Sequence, residues 1–173
     1  SQKSMPGMLD TILNIGFNRK VLEFYEKQNK PLFAWDTWRR FLHMFSHVVY
    51  KIEHFYFDEI LDSYLLGAGL QFEKDLGVND IQEICSQYLT LIEDRIGKPF
   101  PEDVNEQLML SIKAVMESWF NERAIDYRRI NDVPDDFGTA VSIQRMVFGN
   151  LDNESATGCL LYTSPSPRDR VLS

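Results

Sequence analysis

YRRINDVPDDFGTAVSIQRMVFGN, residues 127–150, opens on charge, passes through the turn-forming run Asn131-Asp132-Val133-Pro134-Asp135-Asp136, and then changes its period. From Thr139 the residues alternate, with Val141 and Ile143 on one face and Ala140, Ser142 and Gln144 on the other, the pattern of a strand. Met146, Val147 and Phe148 then fill both faces, as in a strand covered on both sides. The pattern predicts a strand over 139–148 that needs sheet partners. The rest of the chain supplies hardly any. The expected fold class is therefore α+β, mostly helical, with part of a mixed or antiparallel sheet.

Composition narrows the function classes. The 173 residues suffice for one domain with a real core. A formal net charge of −8 disfavours phosphate-backbone binding to nucleic acid, since no basic surplus exists to release counterions. No apolar run approaches the length needed to span a bilayer, and the first residues lack the apolar core of a signal peptide. Cys85 and Cys159 stand far apart without CxxC spacing, so neither a disulfide framework nor a zinc site is indicated, and a reducing, cytoplasmic compartment is expected.

Elsewhere the period is helical. Asn18 is placed to cap a first helix, and Pro31 separates it from a second whose stripe runs Trp35, Trp38, Phe41, Leu42, Phe45, Val48 and Val49. Further helices are expected from about Phe57 to Leu66, from Asn79 (with Gln82 as capping-box partner) to Gly97, and one opened by Pro101-Glu102-Asp103 with the stripe Val104, Leu108, Ile112, Val115 and Trp119. At the other end of the chain, Met5-Pro6-Gly7-Met8 reads as a type II turn, glycine taking the positive φ. Such a turn also lets backbone N–H groups approach a phosphate, although an ordinary surface turn is the commoner use.

Single-residue chemistry stays bland. His43 and His47 have the four-residue spacing that clips a metal, but the intervening residues do not make His-Glu-x-x-His and no third ligand follows at a motif spacing. His54 and Asp58 fit a helical hydrogen-bonded pair. Cys85 falls on an apolar stripe, Asp135 and Asp136 read as turn and cap residues, and Arg128 and Arg129 as a solvated pair. No GxSxG, GxGxxG or GxxxxGK[ST] occurs. From the residues alone, no catalytic or metal-ligating set is assigned.

Two segments read together carry more. SMPGMLDTILNIGFN at Ser4–Asn18 and AIDYRRINDVPDDFGTAVSIQRMVFGN at Ala124–Asn150 resemble the pyruvate, phosphate dikinases, as do Trp35–Phe41, Gly97–Pro101 and Ser118-Trp119 in the same order. The resemblance implies the middle portion, residues 1–158, of an ATP-grasp nucleotide-binding domain. It implies ATP and magnesium as cofactors, phosphoryl transfer to a histidine on a separate domain of the same parent chain, pyruvate bound on a third, and a homo-oligomeric parent. It also implies a binding set: Ser4, Met5, Gly7 and Met8 in the loop near the phosphates, and Gln144, Met146 and Val147 on the adenine-side strand with Thr139 as a neighbour.

Departures from the family accompany the match. The lysine-bearing strands expected before Ser1 are absent, and after Gly158 the family's Phe-Thr-Arg-Asn-Pro strand is replaced by Cys159-Leu160-Leu161. Residues 159–173 are expected to be a non-native tail, because CLLYTSPSPRD translates the end of a transposon-type sequencing adapter. The isolated piece is expected to be inactive. Two other readings stay open: a phosphoenolpyruvate synthase-like dikinase, and a non-catalytic helical interaction module.

Overall fold

The computed structural model describes residues 5–152 and 154–158. Among the described residues six α-helices follow one another: α1 (Arg19–Lys27), α2 (Pro31–Tyr50), α3 (His54–Ala68), α4 (Val78–Ile96), α5 (Val104–Glu117) and α6 (Glu122–Ile130). Short 3-10 turns stand at Glu73–Asp75, Ser118–Phe120 and Asp135–Phe137.

α2 is the hub, packed against α1, α3, α4 and α5. Its sequence explains why. Ala34, Trp38, Phe41, Leu42 and Phe45 are essentially inaccessible to solvent, and their spacings of four, three, one and three place them on one wide face of the helix. Pro31 opens it at the first helical position, where a missing N–H loses nothing, and Lys51 closes it in the left-handed region at φ 58°. Trp38, Phe41 and Phe45 all meet Phe100 edge-on, with centroids 5.2–5.8 Å apart. α4 lays Ile81, Ile84, Cys85, Tyr88 and Ile92 on this core, and the Tyr88 hydroxyl donates to the Phe57 carbonyl at 3.1 Å.

Helix ends follow their local chemistry. The Asn18 side chain accepts from Val21 N–H at 3.2 Å and Asp103 from Glu106 N–H at 2.9 Å, each satisfying an orphan donor. α4 departs from expectation: Gly77 caps it, and Asp80, not Gln82, reaches back to the Gly77 N–H at 2.7 Å. α5 departs further. Its inward face carries Gln107, Ser111 and Ala114, while Val104 is 44% exposed and Leu108, Ile112 and Val115 are only partly covered. Gln107 explains the offset. It is fully buried, accepts from Gly16 N–H at 2.8 Å, and donates to the carbonyls of Phe17 and Pro101 at 3.1 and 2.8 Å. A polar residue with three partners can occupy a core position that an apolar one would otherwise take.

The expected sheet is not there. Among the described residues no strand is formed, and the α+β expectation gives way to an all-helical fold. Residues 138–148 run without regular structure, with Ile143 66% and Val147 87% exposed. The physical reason is that alternation encodes only the two faces of a strand. The backbone ladder must come from a neighbouring strand, and none of the other described segments provides one. The segment is fastened at its far end instead, where the Phe148 ring packs edge-on to Tyr25 and Phe33 at 6.3 and 5.1 Å. Next to it Gly149 lies so close to Thr157 that a Cβ there would overlap the threonine side chain.

Candidate functional site

The loop expected near phosphates is a real turn. Met8 N–H bonds the Met5 carbonyl at 3.2 Å and Gly7 takes φ +72°, with Gly7 exposed and Met5 and Met8 half-buried. Ser4 lies outside the described residues. The turn is fixed from behind by Asp10, whose carboxylate side chain is only 13% exposed. That carboxylate takes an Arg123 N–H and an Asn121 Nδ2 hydrogen bond at 3.3 Å, with Lys51 Nζ 3.8 Å away. Arg123 Nε also donates to the Met8 carbonyl at 3.0 Å, and Asp10 N–H donates to Ser118 Oγ at 3.0 Å. Asp10, Lys51, Asn121, Glu122 and Arg123, with His47 and Val48, line an open cavity of about 440 Å³.

The second expected group is more open. Thr139 is half-buried, whereas Gln144, Met146 and Val147 are exposed. The run-in to Thr139 is tied to the last turn of α6: Arg128 Nε donates to Asp135 at 2.7 Å and the Arg128 carbonyl accepts from Val133 N–H at 2.9 Å. The run-out is tied by Phe148 to Phe33, at the start of α2. Phe33 and Lys51 are separated by 18 residues of α2 and its cap, about 27 Å at the helical rise. The structure therefore brings the start of the segment and the Met5–Met8 turn onto one helix, α6, and holds Met146 and Val147 towards the opposite end of α2.

Other sequence candidates resolve into structural roles. Arg128 is nearly buried over the Trp119 ring at 4.1 Å and donates to the Trp119 carbonyl at 2.6 Å, while Arg129 pairs with Asp126 at the surface. Arg39, on α2, is buried between Asp36 and Glu73 at 3.0 and 2.7 Å. Burial pushes the Cys85 thiol up to about 12, so it is not a thiolate nucleophile at neutral pH. His54 bonds His43 at 2.7 Å and stacks on His47. His47 Nδ1 lies 2.9 Å from the Ile52 carbonyl, so it donates there. Burial, with His54 beside it, pushes His43 down to about 4. Asp10 and its partners are what sequence reading missed. Asp10 stands inside the quoted loop motif, but Asn121 and Arg123 follow it by more than a hundred residues.

Comparison with known proteins decides the family. Residues 1–171 match the family described as pyruvate phosphate dikinase, AMP/ATP-binding domain. The chain belongs to that family. It is 42% identical to a pyruvate, phosphate dikinase of Clostridium symbiosum over 99% of this chain and 20% of the relative. It is 43% identical to pyruvate, phosphate dikinase 1, chloroplastic, of Oryza sativa subsp. japonica over 98% of this chain and 18% of the relative. A pyruvate, phosphate dikinase of Rhizobium meliloti (strain 1021) is 41% identical over 99% of this chain and 19% of its own length. The chain thus spans about a fifth of the relatives it matches. Among the described residues, no helix is long and apolar enough to cross a membrane.

Proposed function

We propose that this chain is the nucleotide-contacting segment of a pyruvate, phosphate dikinase, a phosphotransferase that converts ATP, phosphate and pyruvate to AMP, diphosphate and phosphoenolpyruvate. The parent passes the phosphoryl group through a histidine on another domain, binds pyruvate on a third, and works in the cytoplasm as a homo-oligomer. The observation that carries this reading is the family match over residues 1–171. The Met5–Met8 turn supports it, because Gly7 leaves the backbone open on the solvent side while Arg123 and Asp10 hold it from behind. Backbone N–H groups fixed in this way suit the oxygens of a phosphate. Gln144, Met146 and Val147 offer two apolar side chains and one amide, which suit an adenine ring.

Magnesium fits less well. Among the described residues no three His, Cys, Asp or Glu side chains converge to hold a metal ion. A magnesium ion would arrive here on the nucleotide's phosphates.

Titration of the chain with a fluorescent N-methylanthraniloyl derivative of ATP tests the reading. Saturable binding competed by ATP is expected. Gly7→Val, which forces a β-branched residue into positive φ, should weaken it roughly tenfold. Absence of saturable binding by the unsubstituted chain would overturn the proposal.

A further inference from the structure

We infer that Arg123 is a positioning residue for nucleotide binding, and that α6 is the strut holding both the Met5–Met8 turn and the run-in to Thr139. The inference rests on the nucleotide reading above and adds the residues that hold its site in shape.

Arg123 stands in the first turn of α6, and its planar fork reaches two points of one short segment. Nε takes the Met8 carbonyl at 3.0 Å and Nη2 takes the Asp10 carboxylate. A guanidinium held at both points fixes orientation as well as distance, which a lysine ammonium cannot do. Asp10 is held from three further sides, by Ser118 Oγ on its N–H, Asn121 on its carboxylate and Lys51 at the end of α2. Residues 8–10 thus have few alternatives to the conformation that closes the Met5–Met8 turn.

Five residues on, the other end of the same helix repeats the arrangement. Arg128 is sandwiched on Trp119 and grips Asp135, and Val133 N–H closes on the Arg128 carbonyl. Val133 itself is buried. This fixes the chain just before Gly138 and Thr139, where the second segment begins. The axial separation of Arg123 and Arg128 is about 7.5 Å, a little over one helical turn. One rigid element therefore carries both attachments, and neither arginine has to touch the ligand to influence binding.

The charge of Asp10 separates this role from direct attraction of phosphate. A cationic pocket acting on an anionic ligand would bind it more tightly once the Asp10 carboxylate was removed. A positioning role predicts the opposite sign.

The test uses the 173-residue chain with Arg123→Ala, Arg123→Lys, Asp10→Asn and the Arg123→Ala/Asp10→Asn double variant. Backbone amide hydrogen exchange and titration with the fluorescent ATP derivative are both read. Arg123→Ala should speed exchange at Asp10 and weaken nucleotide binding, each by roughly tenfold, the scale of losing a hydrogen bond to a charged group. Arg123→Lys should recover little of either. Asp10→Asn should weaken binding despite making the pocket less negative, and the double variant should fall short of the sum of the two singles. Unchanged exchange at residues 8–10 in Arg123→Ala, or tighter binding by Asp10→Asn, would overturn the inference. If the unsubstituted chain binds no nucleotide, the functional reading fails by itself, and the exchange data alone then decide whether Arg123 holds the turn.

Discussion

His43 sits where three histidines meet at the junction of α2 and α3. Its ring stacks on Phe57 at 4.5 Å, bonds His54 at 2.7 Å and lies 6.2 Å from the Tyr88 ring. Burial and the neighbouring His54 and His47, with Arg39 behind, disfavour its cation, and Asp58 only partly offsets them. The sign follows. The folded state holds His43 near 4, below its ordinary 6.5, so it contributes stability that is fully present above 6.5 and lost as pH falls towards 4. His54 is lowered in the same direction. Urea midpoints measured from about pH 7.5 down to about pH 5 should therefore fall for the unsubstituted chain and fall less for His43→Gln, which keeps a hydrogen-bonding group and removes the titration. Parallel curves for the two would show that this residue does not carry the slope.

Among the elements, α5 shows where sequence reading reached its limit. The stripes of α2 and α4 were legible because Trp38, Phe41 and Phe45, and Ile84, Tyr88 and Ile92, are apolar on the side that packs. In α5 the buried face is turned away from the apolar stripe, whose Leu108, Ile112 and Val115 are half-buried while Trp119 just beyond the helix is buried. Gln107 and Ser111 are polar in sequence and buried in the fold, since their partners, the Phe17 carbonyl among them, are invisible to periodicity. The segment after Gly138 failed for a related reason: alternation is local, while a ladder needs a second strand. The Asp10–Arg123 pairing was beyond reach because it joins residues 113 apart. The packing face of α5 is testable. Met109 and Met116, 64% and 49% exposed, should accept glutamine with a change of no more than about 0.5 kcal/mol. Ala114→Leu, on the buried side, should lose roughly 1–3 kcal/mol through overpacking. Reversed costs in urea titrations would mean that α5 packs through its methionine face.

At the scale of the whole molecule, the proposed function divides recognition from chemistry. α2 gathers the core, and α6 fastens Met8, Asp10 and the run-in to Thr139. Phosphoryl transfer needs an acceptor held in line with the transferred group, together with charge to stabilise it. The proposal puts both the acceptor histidine and the pyruvate site in the four-fifths of the parent that the chain does not span. Binding and turnover should therefore separate. A chain that binds the ATP derivative saturably should still form no AMP above the enzyme-free blank when given ATP, phosphate, magnesium and pyruvate. A coupled AMP assay run with and without pyruvate reads this directly. Pyruvate-dependent AMP would place acceptor and pyruvate site within these residues and overturn the division of labour. Pyruvate-independent hydrolysis would instead show the bound nucleotide open to water, which removes the need for a second domain to accept the phosphoryl group.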